Sequence, residues 1–476
     1  MVESTQTNGE TVKQNKHRGT IMSCIALSIV WTMLTSMFMP NMPFILRSYK
    51  EHLDESVITT YTAIITAVFF IGQTFGGIMW GMLADRIGRK PALILTLMMN
   101  VICNTVFGFC DSVKMAMVIR FFTGLLDGTI PVCKTIQTEV STPETIGFVS
   151  SLFFVGGAIG GIIGPTLGGF LSKEENIPAL IRLFPILKRF PYATPLVICA
   201  ILFILVIIVV LIWTEETLPR KKRVHSSKLG FRDSFIRSVS SPLLAEDLEM
   251  SVPTEKSTSP LWECLRTKDA ILIMTAYALI SLVSFSFLTI FSVAITSPIP
   301  HYGMSLDSEQ ASLLSSIASP FQLMLPLLIP YLDKLILYRT IFGISMLISS
   351  IMPLLYPLLC ETIHLPTAVM FFFATCFTIV NLFSMMLMMN AIMVLSANIA
   401  YHEVRGAIMG ISETIACVTR CIGPVLFSLL CSWTLKQPHG VIVNPYLTFI
   451  ILGIIGLLTT TLAFWISPET NVAKHR

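Results

Sequence analysis

Charge is what this chain has least of. Asp, Glu, Lys and Arg together make up 13% of its 476 residues, about half the share of an ordinary soluble domain. A globule wetted on all sides needs more, so that class is excluded. No Cys-x-x-Cys pair occurs. Most of the eleven Cys lie in apolar runs, among them Cys24, Cys133, Cys199 and Cys421, where they read as small packing residues. No Asn-x-Ser/Thr acceptor is present to mark an extracellular face. No nucleophile–base pair, phosphate-cradling Gly-Lys-Ser/Thr loop or metal-ligand spacing appears, and His301, His364 and His402 are scattered. An enzyme is therefore not expected, nor a cofactor, a bound metal or a nucleic-acid partner; the net charge of +4 carries no information about partners. The first twenty residues are polar and the first apolar run is too long for a signal core, so no cleavable signal is read.

What is abundant is hydrocarbon, with 54% hydrophobic residues. These gather into stretches of about 20 residues, the length that crosses a 30 Å bilayer core. Twelve are read, near 20–40, 57–79, 92–110, 115–138, 147–171, 193–213, 270–294, 309–330, 340–360, 366–397, 407–433 and 445–467. The tenth is over-long. Residues 214–269 split the series into six and six, with Lys and Arg at 220–223 and a Ser-rich, mixed-charge stretch that reads as a linker. The expectation is an all-α integral membrane protein: tail 1–19, six-helix bundle 20–213, linker 214–269, six-helix bundle 270–467 and tail 468–476. With the amino terminus in the cytosol most Lys and Arg fall on the cytosolic side, which puts both termini there. Lys173, Arg182, Lys188 and Arg189, between spans five and six, run against that bias.

Three ionisable residues stand within the fourth apolar run: Arg120, Asp127 and Lys134. Steps of seven place them on one face of a continuous helix, drifting by about 20° per heptad. A charge at the centre of a lipid-facing helix costs roughly 2.5–3.5 kcal/mol even on the lenient insertion scale. The three are therefore expected to face a polar interior, and a polar interior at membrane depth points to a solute path. Asp127, one heptad from Arg120, is expected to pair with it, and a carboxylate between two cations suits a coupling switch.

The halves echo one another. Glu144-Thr145-Ile146-Gly147 and Glu403-Val404-Arg405-Gly406 stand before the fifth and eleventh spans, and Gly164-Pro165 and Gly423-Pro424 follow at the same offset. Trp213 to Thr217 closes one half, and Trp465 to Thr470 closes the other. Parallel six-helix halves are one architecture of secondary transporters. After the second span stands Trp80-Gly81-Met82-Leu83-Ala84-Asp85-Arg86-Ile87-Gly88-Arg89-Lys90-Pro91, which reads as a tight turn with Pro91 starting the next helix. A decayed copy, Tyr331-Leu332-Asp333-Lys334, stands in the second half. The order G-x-L-x-D-R-x-G-R-K resembles the signature loop of the major facilitator superfamily. Arg120 with Gly124 and Gly128 resembles that family's fourth-span pattern, and Gly160, Gly164, Pro165 and Gly168 resemble its antiporter motif.

The resemblance implies a conformational-switch network around Gly81, Asp85, Arg86, Gly88 and Arg89, and a proton-coupling role for Arg120. Lys188-Arg189-Phe190-Pro191-Tyr192, Ile290-Phe291-Ser292 and Gly423-Pro424 with Ser432-Trp433 are similar to the zinc-induced facilitator-like branch, which groups with tetracycline-type proton antiporters. That branch's Cys-rich and His-containing motifs are absent: only Cys24 stands in the first region and His225 in the second. Zinc itself is therefore a poor candidate substrate. Glu413 and Arg420, seven apart in span eleven, form either a helix-registering ion pair or a substrate contact. Asn381 and Asn390 bond either substrate or neighbouring helices. Met385, Met386, Met388 and Met389 read as packing. The expected activity is proton-coupled antiport of a small organic solute or metal chelate by a monomer. The resemblance implies a plasma, vacuolar or lysosomal membrane as the host bilayer. A sugar-type facilitator and a carrier-like receptor or scaffold without transport are the alternatives.

Overall fold

The computed structural model is helical throughout, and it describes residues 2–49, 54–141, 146–218, 260–298, 303–322, 324, 328, 335–399, 405–436 and 444–471. Several features fall outside those residues: the paired Glu144 and Glu403 echo, the Tyr331–Lys334 copy, Arg220–Arg223, His225, His301, His402, most of the linker and the end of the 468–476 tail. Eleven helices among the described residues are long and apolar enough to cross a membrane. The eighth expected run is described only in part.

Two compact units emerge, one from Met1–Glu51 with Gly72–Ser234 and the other from His52–Ile71 with Phe235–Arg476. In chain order the first portion holds α1 (Val2–Arg47), α2 (Glu55–Ile87), α3 (Arg89–Gly108), α4 (Val113–Leu126), α5 (Thr129–Val140), α6 (Ile146–Leu171), the short α7 (Pro178–Leu183) and α8 (Ile186–Arg189), and α9 (Ala193–Trp213). After the linker come α10 (Pro260–Leu265), α11 (Lys268–Thr296), α12 (Ser308–Ala318), α13 (Tyr338–Glu361), α14 (Thr367–Asn398), α15 (Arg405–Lys436) and α16 (Tyr446–Trp465). Helix α14, the over-long tenth run, has 32 residues.

Local chemistry sets the helix starts. The Ser112 hydroxyl accepts the Met115 N–H at 3.4 Å, and the Thr267 hydroxyl accepts that of Ala270 at 3.3 Å. Asp307 and Gln310 cap α12 reciprocally, at 2.8 and 3.2 Å. Small residues set the packing. Gly156, Gly160, Gly164 and Gly168 lie four apart on α6 and face α1. A Cβ on Gly160 would run into the Ile29 carbonyl, and one on Gly164 into that of Met33. In the second unit Gly423 of α15 approaches α11 in the same way, its absent Cβ 2.6 Å from Ser286 Oγ and 2.9 Å from the Leu282 carbonyl. The sequence echo is thus an echo of packing. Met385 and Met388 sit in the core of the second unit.

Two expectations need correction. The tight turn expected over 80–91 narrows to one residue: α2 continues through Ile87, and Gly88 alone, at φ 107°, makes the turn into α3. The fourth span is not one helix either. It stops at Leu126 and resumes at Thr129, because Pro131 has no N–H to give the Asp127 carbonyl one turn back. The break spoils the heptad register. Arg120 and Asp127 are buried, whereas Lys134 is exposed.

Gly160→Ala is expected to cost about 1–3 kcal/mol by overpacking, seen as a lower melting temperature of the detergent-purified protein. Gly77→Ala, where nothing lies within 4 Å of the new methyl, should leave that temperature unchanged or slightly raised.

Candidate transport site

The break in the fourth span would be expensive in hydrocarbon if its peptide groups were left bare. It is closed by neighbouring side chains. The Trp80 indole N–H donates to the Leu125 carbonyl at 3.2 Å, and the Thr96 hydroxyl donates to the Leu126 carbonyl at 2.9 Å while accepting the Gly128 N–H at 2.8 Å. Gly128 is required here, since a Cβ would enter the Trp80 ring. Asp127 completes the junction. Its carboxylate receives N–H donors from Trp31 at 2.9 Å, Asn100 at 3.1 Å and the Thr129 backbone at 3.2 Å, and Asp127 is 3% exposed. Neutral donors from α1, α3 and α5 therefore hold this charge, in place of the Arg120 partner expected from the heptad. Arg120 lies instead on aromatic faces, its guanidinium carbon 3.5 Å from the Phe38 centroid and 5.1 Å from that of Phe107. Cation–π attraction of this kind strengthens when the site is dry.

The second cluster lies at the α2–α3 turn. Arg89 is bonded to Asp85 at 2.6 Å and to Glu139 of α5 at 3.2 Å. Glu216, just past α9, accepts the N–H groups of Arg89 at 2.8 Å and Lys90 at 3.3 Å, so a carboxylate caps the positive end of α3. The Thr217 hydroxyl donates to Glu139, and the Lys90 ammonium donates to the Leu211 carbonyl at 2.8 Å. Gly88 faces Glu216 with no room for a Cβ, whereas Gly81 faces open space. Arg86 closes the last turn of α2.

The third cluster belongs to the second unit. Arg420 is paired with Glu413 at 2.7 Å, and the Tyr277 phenol of α11 donates to the other Glu413 oxygen. Arg420 also donates to the Tyr277 oxygen at 3.4 Å and stands 4.9 Å from the centroid of Phe285. Glu413 keeps 47% of its side chain accessible and Arg420 only 13%. The group is thus a pinned cation carrying an open carboxylate. Asn390 spends its amide on the Met386 carbonyl at 2.9 Å. Asn381 is buried on α14, where its backbone carbonyl accepts the Ser384 hydroxyl.

Helical halves carrying three charge clusters narrow the class, and comparison decides it. The profile described as Major Facilitator Superfamily matches residues 23–424. The chain belongs to that superfamily. A probable peptide/nitrate transporter of Arabidopsis thaliana is 26% identical over 92% of this chain and 91% of its own. The Arabidopsis protein Zinc Induced Facilitator-Like 1 is 25% identical over 93% and 89%. Among solved structures, the human organic anion transporter MFSD10 superposes with a TM-score of 0.61 at 14% identity, covering 94% of this chain and 99% of its own. The nucleoside transporter NupG gives 0.65 at 12% identity, over 95% and 100%. This superfamily member is accordingly a multi-pass membrane transporter and not an enzyme.

Several side chains of these clusters escaped the sequence reading: Trp31, Asn100, Glu139 and Tyr277. Each comes from a helix remote in sequence from its partner, so no local spacing announces it. A faint signal existed, because Trp, Asn and Tyr inside apolar runs need hydrogen-bond partners. Gly88→Ala in this superfamily member should cost about 1–3 kcal/mol, from a backbone at positive φ and a displaced Glu216 carboxylate. Gly81→Ala should stay within about 0.5 kcal/mol of the parent. Thermal unfolding of the two purified variants checks both.

Proposed function

We propose that this transporter is a proton-coupled antiporter of a small organic solute or metal chelate, working by alternating access of its two six-helix halves. The observation that supports this reading is Asp127, a buried carboxylate at a helix break, held by neutral N–H donors from three helices. A proton on this carboxylate removes the negative charge that the Trp31 and Asn100 donors are aimed at. Their hold weakens, and with it the hold of α1 and α3 on the α4–α5 junction. Loss of the proton restores both. Proton occupancy is therefore converted into helix position, which is what coupling requires.

The Tyr277–Glu413–Arg420 group supplies the solute contact in this reading. An accessible carboxylate, a fixed guanidinium and two aromatic walls suit an organic molecule with both a charged group and an apolar body. Asp85, Arg89, Glu139 and Glu216 serve as the latch that the transition must loosen. The protein works as a monomer, and the distribution of Lys and Arg supports cytosolic termini in a plasma, vacuolar or lysosomal membrane.

The test uses proteoliposomes with an imposed pH gradient, screened first for a solute that the parent protein accumulates. Asp127→Asn should fold and still exchange that solute downhill, yet lose accumulation against its gradient; a variant that still accumulates overturns the assignment. Tyr277→Phe leaves the Glu413–Arg420 pair in place and removes one hydrogen bond. It should raise the apparent KM about 3- to 10-fold, the worth of one such bond, and leave proton coupling intact.

A further inference from the structure

Residues 173–192 join α6 to α9, at the end of the first unit opposite the Gly88–Glu216 latch. They contain α7 and α8 and a 3-10 turn at Glu174–Asn176. The segment is anchored at two points. The Asn176 amide donates to the Phe170 carbonyl at 3.0 Å at one end. At the other, Arg189 pairs with Asp111 at 3.2 Å, and Phe190 meets Phe109 edge to face at 5.6 Å. Between the anchors the apolar side chains turn outward. Leu183 is 71% exposed, Phe184 57% and Ile186 55%. Arg182 is exposed beside them, and Lys188 keeps 70% of its side chain accessible, with one long contact to Glu174 at 3.7 Å.

Such a patch is unsuited to water. The segment joins two membrane-spanning helices in the chain, α6 and α9, whose Phe170, Ile201 and Ile204 are likewise exposed apolar residues. Large apolar side chains flanked by cations are the composition of elements that lie in the bilayer interface, with the cations reaching phosphate. The same cations are those that depart from the charge bias of the other connections. A role in binding headgroups accounts for their presence on this side.

We propose that residues 178–189 form an interfacial lipid-docking element. Leu183, Phe184 and Ile186 enter the headgroup–acyl boundary, and Arg182 and Lys188 hold the phosphates of anionic lipids. Docking ties the α6–α9 connection to the bilayer, so that movement of these helices is resisted or assisted by the lipid composition of that leaflet.

The test places a keto-reactive spin label, through genetically encoded p-acetylphenylalanine, at position 183, 184 or 175 of the full chain, with the native cysteines left in place. Glu175 is exposed and polar and serves as the aqueous control. Power saturation with oxygen and with a neutral nickel complex is then read in nanodiscs of phosphatidylcholine alone or mixed with phosphatidylglycerol. Labels at 183 and 184 are expected to show a several-fold higher oxygen-to-nickel accessibility ratio than the label at 175, rising further in the anionic bilayer. Arg182→Gln with Lys188→Gln, both exposed and compatible with folding, should abolish that further rise. Labels at 183 and 184 as open to nickel as the one at 175 overturn the proposal. So does equal insertion in the two bilayers.

Discussion

A backbone polar group carried into hydrocarbon without a partner costs several kcal/mol, and the first unit is built around the one place where its fourth span incurs that cost. The chain breaks between Leu126 and Thr129, and neighbouring side chains take up the backbone groups left there. Four of its backbone groups are met in this way: Trp80 covers the Leu125 carbonyl, Thr96 serves both the Leu126 carbonyl and the Gly128 N–H, and the Asp127 carboxylate takes the Thr129 N–H. Those partners come from α2 and α3, with α1 adding Trp31. A defect in one helix has thereby become the junction of five. A bistable element needs such a point, because a change of charge at one carboxylate is felt by every helix that donates to it.

At the α2–α3 end the two units solve one problem with different chemistry. After α9, Glu216 grips the start of α3, and Thr217 reaches Glu139 at the end of α5. After α16, the Ser467 N–H donates to Asp269, Arg339 at the start of α13 donates to the Ile466 carbonyl, and Asn398 at the end of α14 donates to the Thr470 carbonyl. The corresponding segments therefore pin corresponding helices. The first unit's version includes the ion pairs of Arg89 with Asp85 and Glu139 beside the Glu216–backbone contacts, while in the second the Asp269, Arg339 and Asn398 side chains bond backbone groups.

Much of this was written in plain local patterns. Apolar runs of about 20 residues foretold the spans, with Ala193–Trp213 falling where the composition placed it. Glycines four apart marked a helix face with little use except close approach, while only the structure shows that α1 fills it. The Glu413–Arg420 pair followed from a seven-residue step in a helix that stays unbroken through Lys436. The same step misled in the fourth span, because Pro131 interrupts the helix and rotates Lys134 to an exposed position while Asp127 stays buried.

The sequence by itself determined the class of molecule, the apolar runs that become its spans, the echo between its halves and the resemblance to the superfamily, because each depends on composition or on short local motifs. Only the tertiary structure decided which partners the buried charges take. Asp127 found Trp31 and Asn100, Arg120 found Phe38 and Phe107, and Glu413 found Tyr277 as well as Arg420. Except for the Glu413–Arg420 step, those contacts join different helices. Their choice rests on which side chains the folded bundle brings within about 3 Å, the reach of a hydrogen bond, a distance that no spacing along the sequence encodes.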